Sequence, residues 1–124
     1  MNSSIIQVPV SLGELWDKYT ILKLKQSNIS DAEKSKHIQN ELDYIEVLCK
    51  KYPIDNSLYI QLLEINTALW NIEDKIREKE KLSIFDNDFI SIARSVYKTN
   101  DKRSEIKYKI NTMYNSLLCE VKEY

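Results

Sequence analysis

The sequence predicts an all-α fold, a single-domain antiparallel bundle of four to five helices over residues 1–124, and three observations carry that expectation. One glycine and two prolines in 124 residues leave almost no turn punctuation, which suits long helices with few connections. Apolar residues recur at three- and four-residue intervals, most clearly Leu58, Leu62, Ile65, Leu69, Ile72 and Ile76. Ser-x-x-Glu spacings stand where helices would begin. A chain of this length buries about two-thirds of its unfolded surface around one core, without disulfides or metals.

Val8-Pro9-Val10 is too short and too Pro-interrupted for a central strand. It leads into Ser11-Leu12-Gly13-Glu14, so helix 1 is predicted to start at Ser11. Leu12, Leu15, Trp16, Tyr19 and Leu22 form its main face, and Ile21 and Leu24 add apolar surface on the other side, making it the most enclosed element. Glu14 and Lys18, one turn apart, are placed to pair. After the polar break Gln26 to Ile29, Ser30-Asp31-Ala32-Glu33 reads as a second capping box. Ile38, Leu42, Ile45, Leu48, Cys49 and Tyr52 then carry helix 2 to about Lys51, where Pro53 stops it. Asp55-Asn56-Ser57 offers the cap for helix 3, predicted to run to about Glu80. Lys81 to Asn87 breaks the pattern, with Leu82, Ile84 and Phe85 expected to tuck against the bundle and Asp86 or Asn87 to cap helix 4. Phe89, Ile92, Ala93 and Val96 continue it. Ile106, Ile110, Met113, Tyr114 and Leu117 resume a helical period beyond Thr99-Asn100-Asp101, either as one long helix or after a turn, and the Thr-Asn-Asp run tips the reading toward a break at Asn100. An irregular tail follows Asn115.

Composition narrows the function classes. Met1 to Val10 has neither the basic region nor the apolar run of a secretory signal, and no stretch approaches the roughly 20 apolar residues of a membrane span. The expected setting is cytoplasmic, with Cys49 and Cys119 as free thiols. Basic and acidic residues, 18 and 19, nearly cancel, so no large field favours nucleic acid or an anionic membrane. A lone His37 and a lone Gly13 supply no catalytic triad, zinc set or glycine-rich phosphate loop. Asp86-Asn87-Asp88 lacks the spacing of a calcium loop. Glu41, Glu46, Glu64 and Glu73 resemble a pyrophosphatase carboxylate set no more than solvated faces do by chance. Neither a cofactor nor a metal is expected.

Two rows carry the candidate chemistry. Asn66, Trp70, Glu73 and Arg77 share one line of helix 3 beside its apolar stripe. There Arg77, oriented by Glu73, would hold a phosphate or carboxylate beside the Trp70 ring; the competing reading is an ordinary surface ion pair. If the last segment is continuous, Asn100, Arg103 and Lys107 interrupt its apolar face. Buried charge requires a partner, and an anion or the carboxylates Glu73 and Asp17 would supply one. Arginine, suited to bidentate anion recognition, occurs only as Arg77, Arg94 and Arg103, all within these segments.

Several ungapped blocks point to relatives: Val10-Ser11-Leu12-Gly13-Glu14-Leu15 with Asp17-Lys18 and Thr20-Ile21-Leu22; Leu69-Trp70 with Ile72-Glu73-Asp74 and Ile76-Arg77; Phe85-Asp86 with Phe89-Ile90 and Ala93-Arg94-Ser95-Val96-Tyr97; and Asn100-Asp101 with Arg103. In these blocks, which leave Gln26 to Glu64 unmatched, the chain resembles a family of small helical bacterial proteins of unknown function. The resemblance implies a setting beside glycosyltransferases and tetratricopeptide-type proteins of surface-polysaccharide assembly, and no mechanism. Its blocks contain Asp17, Lys18, Glu73, Arg77, Arg94, Asn100 and Arg103, the polar positions already singled out. The leading expectation is a non-catalytic binding or adaptor module whose partner is an anionic small molecule or a protein. The rival is a small helical enzyme acting in the manner of chorismate mutase, with Lys18, Arg77 and Arg103 binding an anionic substrate. A homodimer is the third reading.

Overall fold

The computed structural model describes residues 4–122. Met1 to Ser3, the head of the leading segment, and Glu123 and Tyr124, the end of the tail, lie outside them. The fold is an all-α bundle of four helices: α1 (Leu12–Asn28), α2 (Ala32–Lys51), α3 (Asn56–Lys81) and α4 (Asn87–Met113). Among the described residues, no helix is long and apolar enough to cross a membrane.

Caps set the helix starts. Ser11 Oγ accepts from the Glu14 amide at 3.1 Å, as the first capping box requires. The second box is corrected: Asp31, not Ser30, caps α2, with Oδ2 accepting from the Lys34 amide at 2.9 Å. Asp55 caps α3 and Asp86 caps α4. Ser83 adopts a positive φ of 54° in the α3–α4 turn, where the Ile84 amide reaches back to the Lys79 carbonyl.

The expected break at Asn100 is absent, and α4 runs continuously through Thr99-Asn100-Asp101. Asn100 and Asp101 would favour a turn if their side chains bonded the local backbone. Instead Asn100 faces Arg103 on the next turn, and Arg103 is anchored to α1. Tertiary pairing outweighs the small local preference.

α1 is the central helix, as its two apolar faces predict. Leu22 packs with Ile38 and Leu42 of α2, flanked by Tyr19, Ile29 and Ile45. Leu12 and Trp16 pack against Leu58 and Leu62 of α3 and Ile110 of α4. The backbone of α2 closely approaches only α1, so α1 floors a groove between α2 and α4. α3 and α4, each about 40 Å long at 1.5 Å per residue, form an antiparallel hairpin. No residue from Trp70 to Ile106 is fully buried. The turn residues expected to tuck inward do the reverse: Leu82 is 62% exposed and Phe85 58%, with Ile84 also open. Among the described residues, none buries these side chains at the free end of the hairpin. Lys79 clamps that turn through Asp86 and Asp88, each at 3.2 Å.

Candidate functional site

One face of α1 carries Gly13, Asp17 and Thr20, small or polar groups at helical spacing on an otherwise enclosed helix. α4 can approach closely here because position 13 has no side chain. A Cβ on Gly13 would stand 2.6 Å from the Lys107 carbonyl oxygen. The Gly13 amide, an orphan donor in the first turn of α1, donates to Asn111 Oδ1 at 2.7 Å.

That approach brings a charged network into the interface. Asp17 is 1% exposed. Its Oδ1 accepts from Arg103 Nε at 2.9 Å and from Asn66 Nδ2 at 2.9 Å, while Oδ2 accepts from the second arm of the Arg103 guanidinium. The fork-on-carboxylate geometry is the strong form of this pair. Asn66 also donates to Thr20 Oγ1 at 2.7 Å, and Thr20 donates to the Asp17 carbonyl at 2.7 Å. Thus α3 supports the α1–α4 pair from behind. One turn along α4, Lys107 Nζ donates to Glu14 at 2.7 Å and Glu120 at 2.9 Å, with Asp17 Oδ2 at 4.0 Å. Among the described residues, every buried side-chain nitrogen and oxygen has a hydrogen-bond partner.

The electrostatics follow from these contacts. The Asp17 hydrogen bond outweighs burial and raises the Arg103 guanidinium above its ordinary pKa. Burial pulls Lys107 down, but its bonds to Glu14 and Glu120, together with the nearby Asp17 charge, leave it above the usual lysine value. Lys107, and then Lys122, hold the Glu120 carboxyl down at about 2.

Of the residues proposed from sequence, Asp17, Asn66, Arg103 and Lys107 meet in this network, with Asn100 at its edge, 3.5 Å from Arg103. Lys18 pairs with Glu41 of α2 at 3.1 Å rather than with Glu14, which α4 has taken. Glu73 does not reach Arg103 or Lys107; it pairs with Arg77 at 3.7 Å on the exposed surface. Such a pair contributes a few tenths of a kcal/mol. Trp70 is half-buried, and Arg94 is exposed with no ion pair within 4.0 Å among the described residues. Lys18 and Arg103 share a cleft of about 220 Å³ with Asp17, Ile21, Lys25 and Glu41, in the groove floored by α1. Sequence reasoning missed Thr20, Asn111 and Glu120. The polar stripe through Gly13, Asp17 and Thr20 was a readable signal for the first; Glu120, beyond the last helix, offered none.

The class defined is an all-helical bundle whose central helix is locked to a long hairpin by a buried, self-neutralised ion network. Residues 6–124 match the Family of unknown function (DUF6165), and the chain belongs to that family. Searches of curated proteins and of solved structures found no match.

Proposed function

We propose that this chain is a non-catalytic binding or adaptor module that engages a protein partner, within the sugar-transfer setting implied by the resemblance. The observation supporting this reading most directly is the mutual neutralisation of the interhelical charges. Arg103 is taken by Asp17, and Lys107 by Glu14 and Glu120. An anion-binding enzyme site needs cations free to meet substrate, and these hold the bundle together instead.

The free end of the α3–α4 hairpin supplies surface for a partner. Leu82, Phe85 and Ile90 are more than half exposed there, beside Phe89, whose ring meets Phe85 edge-on at 5.3 Å. Apolar clusters of this kind mark protein contacts more often than isolated exposed side chains do.

The rival enzyme reading keeps one specific support. Lys25 lines the 220 Å³ cleft without a carboxylate within 4.0 Å among the described residues. The volume falls below the roughly 300–1,000 Å³ of ordinary ligand pockets, so it suits a single small anionic group and not a sugar nucleotide.

A thermal-shift screen against sugar nucleotides, phosphosugars and small carboxylates separates the readings. A protein-binding module expects no shift; a dose-dependent shift lost in Lys25→Ala would make the cleft a small-anion site, and turnover of that compound would transfer the case to the enzyme. On the positive side, calorimetry against a glycosyltransferase or tetratricopeptide-type partner should show binding that Phe85→Asp with Ile90→Asp abolishes without lowering Tm. A molecular mass that rises with concentration in light scattering would identify the partner as a second copy of the chain.

A further inference from the structure

Beyond Met113 the chain leaves the helix and lies back along it. Asn115 takes a positive φ of 53°, and the Ser116 amide returns to the Asn111 carbonyl at 2.8 Å, closing the helix end. Three side chains then make polar contacts that fasten the segment, Cys119 Sγ accepting from Asn111 Nδ2 at 3.9 Å. Ser116 Oγ accepts from the Leu12 amide at 3.1 Å, and Glu120 reaches Lys107. Its apolar side chains contribute unequally: Leu117 is 97% exposed and Val121 89%, while Leu118, at 39%, is far more covered.

Between this strap and α4 lies a groove of about 610 Å³, lined by Asp101, Glu105, Lys107 and Tyr108 of α4 and by Cys119 and Val121 of the strap, among others. At its inner end Lys107 is only 8% exposed in its side chain and is fixed by Glu14 as well as Glu120. The ammonium therefore keeps a carboxylate partner when Glu120 leaves, and departure of the strap does not strand a bare buried charge. The strap is held by Leu118 and by polar contacts, the strongest of them at a slot that keeps a carboxylate without it.

We propose that the α4 groove is a binding site for an extended peptide of a partner protein that carries a single carboxylate side chain, and that Glu120 occupies its carboxylate slot at Lys107 as an internal competitor. The strap's own Cys119-Glu120-Val121 shows the chemistry that fits: one carboxylate for Lys107 on an extended segment, in a groove that Tyr108 and Asn111 also line. Because the strap is tethered, it competes at an effective concentration of about millimolar or more, so an incoming peptide binds weakly until the strap is displaced. The site is separate from the hairpin end and does not depend on the reading given for it.

The test uses the full chain, ¹⁵N-labelled, with two capped synthetic peptides covering residues 116–122. One carries Cys119→Ser; the other carries Cys119→Ser with Glu120→Gln. In the wild type, the backbone amides of Glu120 and Val121 should give the heteronuclear NOE of ordered chain. In E120Q they should fall to values typical of a free tail, while the Ile110 amide keeps its shift and shows the bundle intact. The carboxylate peptide should bind E120Q at least tenfold more tightly than it binds the wild type, with shifts at Lys107, Tyr108 and Asn111. The glutamine peptide should bind neither. An E120Q strap as rigid as the wild type's would overturn the proposal, and so would equal binding of the two peptides.

Discussion

Gly13 of α1 and Lys107 of α4 meet backbone to backbone, so closely that an added Cβ would stand 2.6 Å from the Lys107 carbonyl oxygen. Two opposing effects act on Gly13→Ala. Helix propensity favours alanine by about 1 kcal/mol. The overlap is with main chain, which cannot swing aside, and overpacking of this kind costs about 1–3 kcal/mol. Displacement of α4 also strains the bond from the Gly13 amide to Asn111. The expected result is a net loss of about 1–2 kcal/mol in denaturant melts; a stabilised variant would show that the two helices are not in contact here.

Asp17 should be the most sensitive polar position. Asp17→Ala leaves Arg103 without its carboxylate and deprives Asn66 of one acceptor. Loss of one member of a buried pair costs about 3–5 kcal/mol. For a chain of this size that lowers Tm by on the order of 10 °C. Arg77→Ala, which removes only the exposed pair with Glu73, should change stability by less than about 0.5 kcal/mol. Equal effects of the two substitutions would contradict the burial of the network.

Acidification should release the strap in a defined window. The Glu120 carboxyl is held at about 2, below its ordinary 4.5, first by its bond to Lys107 and then by Lys122. A depressed carboxylate contributes its full stabilisation above the unfolded value and loses it as pH falls through the folded one. The contribution is therefore intact at pH 5 and above and declines between about pH 4.5 and 2. NMR titration of the Glu120 side chain should follow that course, and E120Q should remove it; a midpoint near 4.5 in the wild type would show that Lys107 does not hold this group.

The two thiols should behave oppositely. Burial, followed by the Glu46 charge, pushes Cys49 up to about 12, whereas Cys119 is exposed on the strap. Because the thiolate is the nucleophile, a thiol reagent at pH 8 should modify one cysteine quickly, with peptide mapping placing the label on Cys119. Cys49 should react only on unfolding. Rapid labelling of both would mean that the α1–α2 interface opens readily.

Much of this arrangement was legible in the residues because it depends on local periodicity. The α3 stripe from Leu58 to Ile76 specified a long helix, the capping oxygen of Ser11 fixed the start of α1, and two apolar faces on α1 announced a central position. Asp17, Asn66, Arg103 and Lys107 could be suspected because polar groups on an apolar stripe require partners. Their pairing could not be read, since it depends on how the helices rotate and slide against one another. Sequence spacing offered Glu14 to Lys18; packing gave Glu14 to Lys107 and Lys18 to Glu41.

The same division explains α4 and the strap. The sequence by itself determined an all-α chain of four to five helices with capped starts, because hydrophobic period and caps act within a few residues. Only the tertiary structure decided that α4 passes unbroken through Asn100, that Arg103 closes on Asp17, and that Glu120 returns to Lys107. Those outcomes rest on long-range charge pairing in a dry interface, where a partner distant in the chain outweighs the modest turn preference of Thr99-Asn100-Asp101.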